Sequence, residues 1–161
     1  MIKNKKILIT GCFGFVAQHL IFELLNNNNY IVGIYNKKYQ KNIYNFNNFI
    51  NKKKYRILKI DVSDKLKLEK MIKENKFHIC FHLAAVSQVL YASNKPYETY
   101  KSNLIGTINI LELFRIHNKK TKIIFSSSDK VYGDSNDLPY TEDSALNAKN
   151  IYDTSKAAAD L

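Results

Sequence analysis

The chain has 161 residues, 45% of them hydrophobic, which is enough for one domain with a real core. Its formal charge is +11, but the lysines are scattered through "KNKK", "NKKYQK" and "NKKK", with few arginines and no basic helical stripe, so a nucleic-acid partner is not expected. No run is apolar enough to span a membrane, "MIKNKKILIT" lacks the features of a secretory leader, and four scattered histidines without ligand spacing argue against a metal.

In chain order, "KILIT" (6–10) is the first β-rich run, and "TGCFGFVAQHL" leads from it into a helical pattern. That pattern, "VAQHLIFELL", stripes Val16, Leu20 and Leu24 beside Ile21 and Leu25. "YIVGIY" (30–35) and "YRILKID" (55–61) are the second and third strands. "DKLKLEKMIKEN" then sets Leu66, Met71 and Ile72 near one helical face. "HICFHLA" (78–84), a helix over "NLIGTINILELFRIH" with a stripe from Leu104 to Phe114, and "KIIFSS" (122–127) follow. Such alternation predicts an α/β fold, a doubly wound parallel sheet of Rossmann type covered on both faces. Cys12 and Cys80 fall in or beside its strands and are expected as reduced thiols of a cytoplasmic protein.

Ligands of this architecture gather beyond the carboxyl ends of the strands. Gly11 permits a tight turn, Gly14 lets backbone approach a pyrophosphate at a helix N-terminus, and Ala17 is small enough for close helix–strand packing. The spacing is G-x-x-G-x-x-A, not the commoner G-x-G-x-x-G. At the end of the second strand, a carboxylate would hold the ribose of NAD and a cation would accept the extra phosphate of NADP. Asn36, Lys37 and Lys38 tilt the expectation between NAD and NADP toward NADP. Asp61 is placed to accept from an adenine amino group, with helix capping by Ser63 or Asp64 as the structural alternative nearby.

"YDTSK" puts Tyr152 and Lys156 on one helical face. A phenol with a pKa near 10 is only about one part in a thousand ionised at pH 7, and bringing it to about 7 takes roughly 4 kcal/mol from nearby positive charge. In "SSSDKVYGD" an acid and a base, Asp129 and Lys130, stand where the fifth strand gives out.

Together, "TGCFGFVAQHL", "DVSD", "FHLAA", "NLIGTINILE", "SSSDKVYGD" and "YDTSK" resemble the extended short-chain dehydrogenases/reductases, in the NAD(P)-dependent nucleotide-sugar epimerase/dehydratase family. The resemblance runs from Ile7 to the last residue. It implies that Tyr152 takes the proton of the sugar 4-OH, that Lys156 binds the nicotinamide ribose and lowers the Tyr152 pKa, and that Ser128 hydrogen-bonds the same hydroxyl. It also implies a cofactor crevice lined by Phe13, Phe15, Val16, Val62, Leu83, Ala84 and Ala85, with Asn103 in support.

Asp129-Lys130 is similar to the CDP-glucose 4,6-dehydratase pattern. A dehydratase must expel the C6 hydroxyl and remove the C5 proton, which needs an added acid and base. The implied reaction is an internal hydride transfer from C4 to C6 of a nucleotide-diphospho-sugar with loss of water. A lysine base must be neutral, far from its reference pKa of about 10.4, so anchoring of a phosphate or loop is the alternative role for Lys130. A 4-epimerase or reductase of the same family, and a noncatalytic dinucleotide-binding module, remain the alternative functions. Family members carry roughly as much chain again after "AAADL", so residues 1–161 are expected to be the N-terminal portion of a longer enzyme, a homodimer when full length.

Overall fold

Runs of Ile, Val and Leu too short for helices, separated by stretches of 3.6-residue periodicity, can bury their apolar atoms only as strands between helical layers. The computed structural model describes residues 1–36, 54–134 and 138–161. Strands β1 (Lys6–Thr10), β2 (Tyr30–Tyr35), β3 (Tyr55–Lys59), β4 (Ile79–His82) and β5 (Lys122–Phe125) form one parallel sheet in the order β3-β2-β1-β4-β5. The order reverses between β1 and β4, which opens a crevice at their carboxyl ends.

Period-two alternation divides the core. Ile7, Ile9, Ile31 and Ile79 cluster with Ala17, Ile21 and Leu24 of α1 (Phe15–Asn26). Leu8, Val32, Ile34 and Cys80 cluster on the other face with Leu68, Met71 and Ile72 of α2 (Lys65–Lys73) and Ile110, Leu113 and Phe114 of α5 (Gly106–His117). Both cysteines are buried and free, and they belong to opposite faces of the sheet. Two stripes run differently from the sequence expectation. Val16 is 64% exposed because the smaller Ala17 turns inward beside the glycine-rich turn, and Leu66 is exposed while Leu68 takes the core position.

The crossover from β4 to β5 begins with α3 (Val89–Asn94) and α4 (Pro96–Tyr100). A single π turn (Lys101–Ile105) then joins α4 to α5 without a break. Beyond β5 the chain makes a short 3-10 turn (Asp129–Tyr132) and ends in α6 (Ile151–Asp160), which packs against α3, α4 and the π turn. Asn150 caps α6 by accepting from Asp153 N at 3.1 Å, and Asp64 caps α2 by accepting from Lys67 N, also at 3.1 Å.

Candidate active site

At the end of β1, Gly11 adopts φ +67, and a Cβ there would stand 2.9 Å from Ala84 Cα, so the turn admits glycine alone. Gly14 N donates to Gly11 O at 2.8 Å to close it. Gly14 is also the N-cap of α1; it supplies no capping side chain, and no acid occupies the helix's first turn. Leading N–H groups and the positive end of the dipole therefore favour an anion at this point. Phe13 packs edge-on against Tyr35 with ring centroids 4.7 Å apart, while Phe15 and Val16 stand exposed at the helix start.

Asn36, just past β2, donates to one oxygen of the Asp61 carboxylate. The other oxygen accepts from Ser63 N at 2.9 Å and Ser63 Oγ at 2.8 Å. Asp61 thus braces the loop after β3, while Asp64 does the capping. Lys37 and Lys38 lie outside the described residues. Val62 turns its side chain into the core, within reach of Gly106, and its carbonyl accepts from Asn109 at 3.1 Å.

Leu83, Ala84 and Ala85 form a half-buried wall beyond β4, opposite the glycine loop. Asn103, carried on the π turn, holds the next residue at both ends: Val86 N donates to its Oδ1 at 2.7 Å, and its Nδ2 donates to Val86 O at 3.0 Å. The same amide donates to Ser155 Oγ on α6 at 2.9 Å.

Beyond β5 lie Ser126, Ser127 and Ser128. Lys156, only 3% exposed, donates from Nζ to Ser126 O and stands 4.4 Å from the Phe125 ring centroid. Burial pulls its pKa down to about 8, against an opposing pull from Asp160. Asp160 in turn accepts from Ser127 Oγ at 2.8 Å. Half-buried Tyr152 sits one turn before Lys156 on the same helix. Ser128 caps the 3-10 turn: its Oγ accepts from Lys130 N and donates to Asp129 Oδ1, both at 3.2 Å. Asp129 and Lys130 are exposed and, with Asp134, Leu138, Pro139 and Tyr140, line an open concavity of about 770 Å³. The contacts of Lys156 with Ser126 and of Asp160 with Ser127 bring the Tyr152 helix against the same strand end as Ser128, Asp129 and Lys130.

Several buried polar groups carry no clear signal in the sequence, Asp153, Thr10 and His82 among them. Asp153, 4% exposed, accepts from Asn150 at 2.6 Å with one carboxylate oxygen, while the other has no hydrogen-bond partner. Burial raises its pKa, and the charge of Lys130 opposes the rise most strongly. Thr10 and His82 lie in the central strands, and their only sequence signal is a polar letter inside an apolar run.

Residues 8–161 match the protein family described as GDP-mannose 4,6 dehydratase. The chain belongs to this family, within the NAD-dependent epimerases/dehydratases of the extended short-chain dehydrogenase/reductase type. Over 95% of its length it is 34% identical to a UDP-glucose 4-epimerase of Pisum sativum, covering 45% of that protein. Over 97% it is 30% identical to the dTDP-D-glucose 4,6-dehydratase of Homo sapiens, covering 44%. Among solved structures it superposes on UDP-glucose 4-epimerase from Bifidobacterium longum in complex with NAD+ and UDP, with TM-score 0.85, 33% identity and coverage of 96% of this chain and 47% of that one. The dTDP-glucose 4,6-dehydratase from Bacillus anthracis in complex with NAD gives TM-score 0.83 at 28% identity, covering 97% and 48%. The chain thus spans about half the length of the curated relatives it matches. Family membership and this chain's own cradle agree, because a glycine whose Cβ would strike Ala84 and a helix start without a capping side chain or acid suit a pyrophosphate.

Proposed function

We propose that this chain is the N-terminal, dinucleotide-binding portion of a nucleotide-sugar 4,6-dehydratase. The observation that carries the reading is Asp129-Lys130, an acid and a base exposed at the end of β5 beside the helix of Tyr152 and Lys156. Gly11, Gly14 and the start of α1 would hold the pyrophosphate, Leu83, Ala84 and Ala85 would wall the crevice, and Lys156 would face the nicotinamide ribose. When bound, the nicotinamide supplies a hydride acceptor that is restored within each turnover.

The side chains manage protons around it. Tyr152 takes the proton of the sugar 4-OH while Ser128 hydrogen-bonds that oxygen. Asp129, as general acid, gives a proton to the departing C6 hydroxyl, which leaves as water. Lys130 removes the C5 proton and returns it to C5 as the 6-deoxy product forms. Replacing Tyr152 by Phe is expected to lower turnover by about 10²–10⁴-fold. If Lys130→Met leaves dehydration intact, Lys130 is not the base.

For the cofactor, NAD is the reading supported by the two solved neighbours described with it. Asn36-Lys37-Lys38 favours NADP, and tighter binding of NADP than of NAD would reverse the assignment. The reading includes a cytoplasmic location, in keeping with two buried, free thiols, and a homodimer. The outward face of α5, with Ile108, Leu111 and Ile116, offers the dimer a surface, and sedimentation of the full-length protein tests it.

A 4-epimerase is the second reading, favoured by the Pisum sativum relative. One experiment separates the two. The full-length protein is incubated with nucleotide-diphospho-glucoses carrying deuterium at C4. A 4-keto-6-deoxy product with deuterium at C6 is expected; inversion at C4 without loss of water would replace the dehydratase by the epimerase.

A further inference from the structure

Thr10, His82 and Thr107 are fully buried where β1, β4 and α5 meet, and every proton among them can be assigned. Thr10 Oγ1 accepts from Leu83 N at 3.0 Å and Ala84 N at 2.9 Å. A hydroxyl has two acceptor positions and one proton, so both positions are filled and the proton goes to its remaining neighbour, His82 Nδ1, at 2.7 Å. The ring proton of His82 is therefore on Nε2. The other end requires the same answer independently. Thr107 Oγ1 gives its proton to Asn103 O at 2.6 Å, because a carbonyl only accepts, so it receives the Nε2–H of His82 at 3.0 Å.

The contacts continue on both sides. Asn103 grips Val86 and donates to Ser155 Oγ, which donates to Tyr152 O at 2.7 Å. At the near end, Thr10 immediately precedes Gly11. The His82 ring also stacks on Phe125 at 5.8 Å between centroids, and the Lys156 ammonium stands by that same ring. A second proton on His82 would aim an N–H at an oxygen with no lone pair left, close to a cation. Burial and Lys156 accordingly lower its pKa to about 4.

We propose that His82 is a positioning residue: a neutral imidazole with its proton fixed on Nε2, tying the glycine loop and the crevice wall to the π turn and hence to the helix of Tyr152 and Lys156. It touches no substrate and exchanges no proton. It works as a strut whose two ends are chemically different, an acceptor toward Thr10 and a donor toward Thr107. The presence of a dinucleotide in the crevice belongs to the preceding proposal, and only the binding arm of the test depends on it.

The test begins with the unmodified chain, so it survives any variant that fails to fold. Nitrogen-15 spectra of the imidazole should show the Nε2–H form, unchanged from pH 8 to pH 5; an Nδ1–H form, or titration near pH 6.5, overturns the proposal. Next, Thr107→Val should shift the amide resonances of Leu83 and Ala84, which lie across the ring from it, and His82→Phe should abolish that response. A response that persists without the imidazole also overturns the proposal. In the binding arm, NADH affinity should fall about tenfold in Thr107→Val and no further when His82→Phe is added. Full additivity of the two losses counts against the strut. A chain with the expected spectra and amide response that takes up no NADH would overturn the cofactor reading and leave the strut standing.

Discussion

Lys156 and His82 are bases that burial disfavours in their charged forms, one with a pKa pulled to about 8 and the other to about 4. The unfolded chain binds each proton more readily than the folded one, so both make stability rise with pH, in different windows. For His82 the window runs from its ordinary value of 6.5 down to about 4, and stability is lost as acid is added through it. The loss comes to about 3 kcal/mol for a buried imidazole across that span. Denaturant titrations at pH 7 and pH 4.5 should show it, and His82→Phe should flatten the difference. For Lys156 the fold gains as pH climbs from about 8 toward 10.5, the ammonium being the form that burial penalises. Lys156→Met should therefore hold or raise the melting temperature at pH 7, and under the proposed function it should remove activity, a trade often found at functional sites. A clear drop in melting temperature would mean that the bond to Ser126 and the Phe125 contact outweigh the desolvation cost.

At the scale of elements, strands and helices were legible because period two and period 3.6 leave different marks. All five strands lie where the apolar runs predict, with β3, β4 and β5 ending two residues early, at Lys59, His82 and Phe125, and β4 starting one residue late, at Ile79. What pattern cannot say is which of two neighbouring apolar side chains turns inward, as Val16 and Leu66 demonstrate. The Gly-rich turn and Tyr152-x-x-x-Lys156 could be read because their spacing is local. Asn103 came with the family resemblance, but the strut of Thr10, His82 and Thr107 that leads to it could not be read, since its members come together only when β1, β4 and the long helix have packed. The π turn belongs to the same class, being set by partners distant in sequence. Gly106 follows it, and a Cβ there would stand 2.5 Å from Val62 Cγ2 on a stiff, buried side chain. Alanine would improve helix propensity by up to about 1 kcal/mol, but overpacking costs about 1–3 kcal/mol. Gly106→Ala should lower the urea midpoint by the equivalent of about 1 kcal/mol with an unchanged slope.

Across the whole molecule, β2, β1 and β4 each lie between two strands, and Ser128, Asp129 and Lys130 follow β5, which has a neighbour on one side only among the described residues. Ile124, 43% exposed, is an apolar side chain on that border. Unpaired edges with apolar residues recruit other chains, and a lysine there is a common safeguard. Ile124→Lys should reduce concentration-dependent light scattering of this chain without changing its melting temperature; scattering that does not respond would locate self-association elsewhere. The border has a further effect on where new material can be added. A segment laid alongside β5 in parallel would sit about 5 Å away, the ordinary spacing of paired strands. Its far end would emerge next to Ser128 and Tyr152, so a sheet that grows by one strand at this margin brings a second set of side chains to that end of the crevice without any long excursion of the backbone.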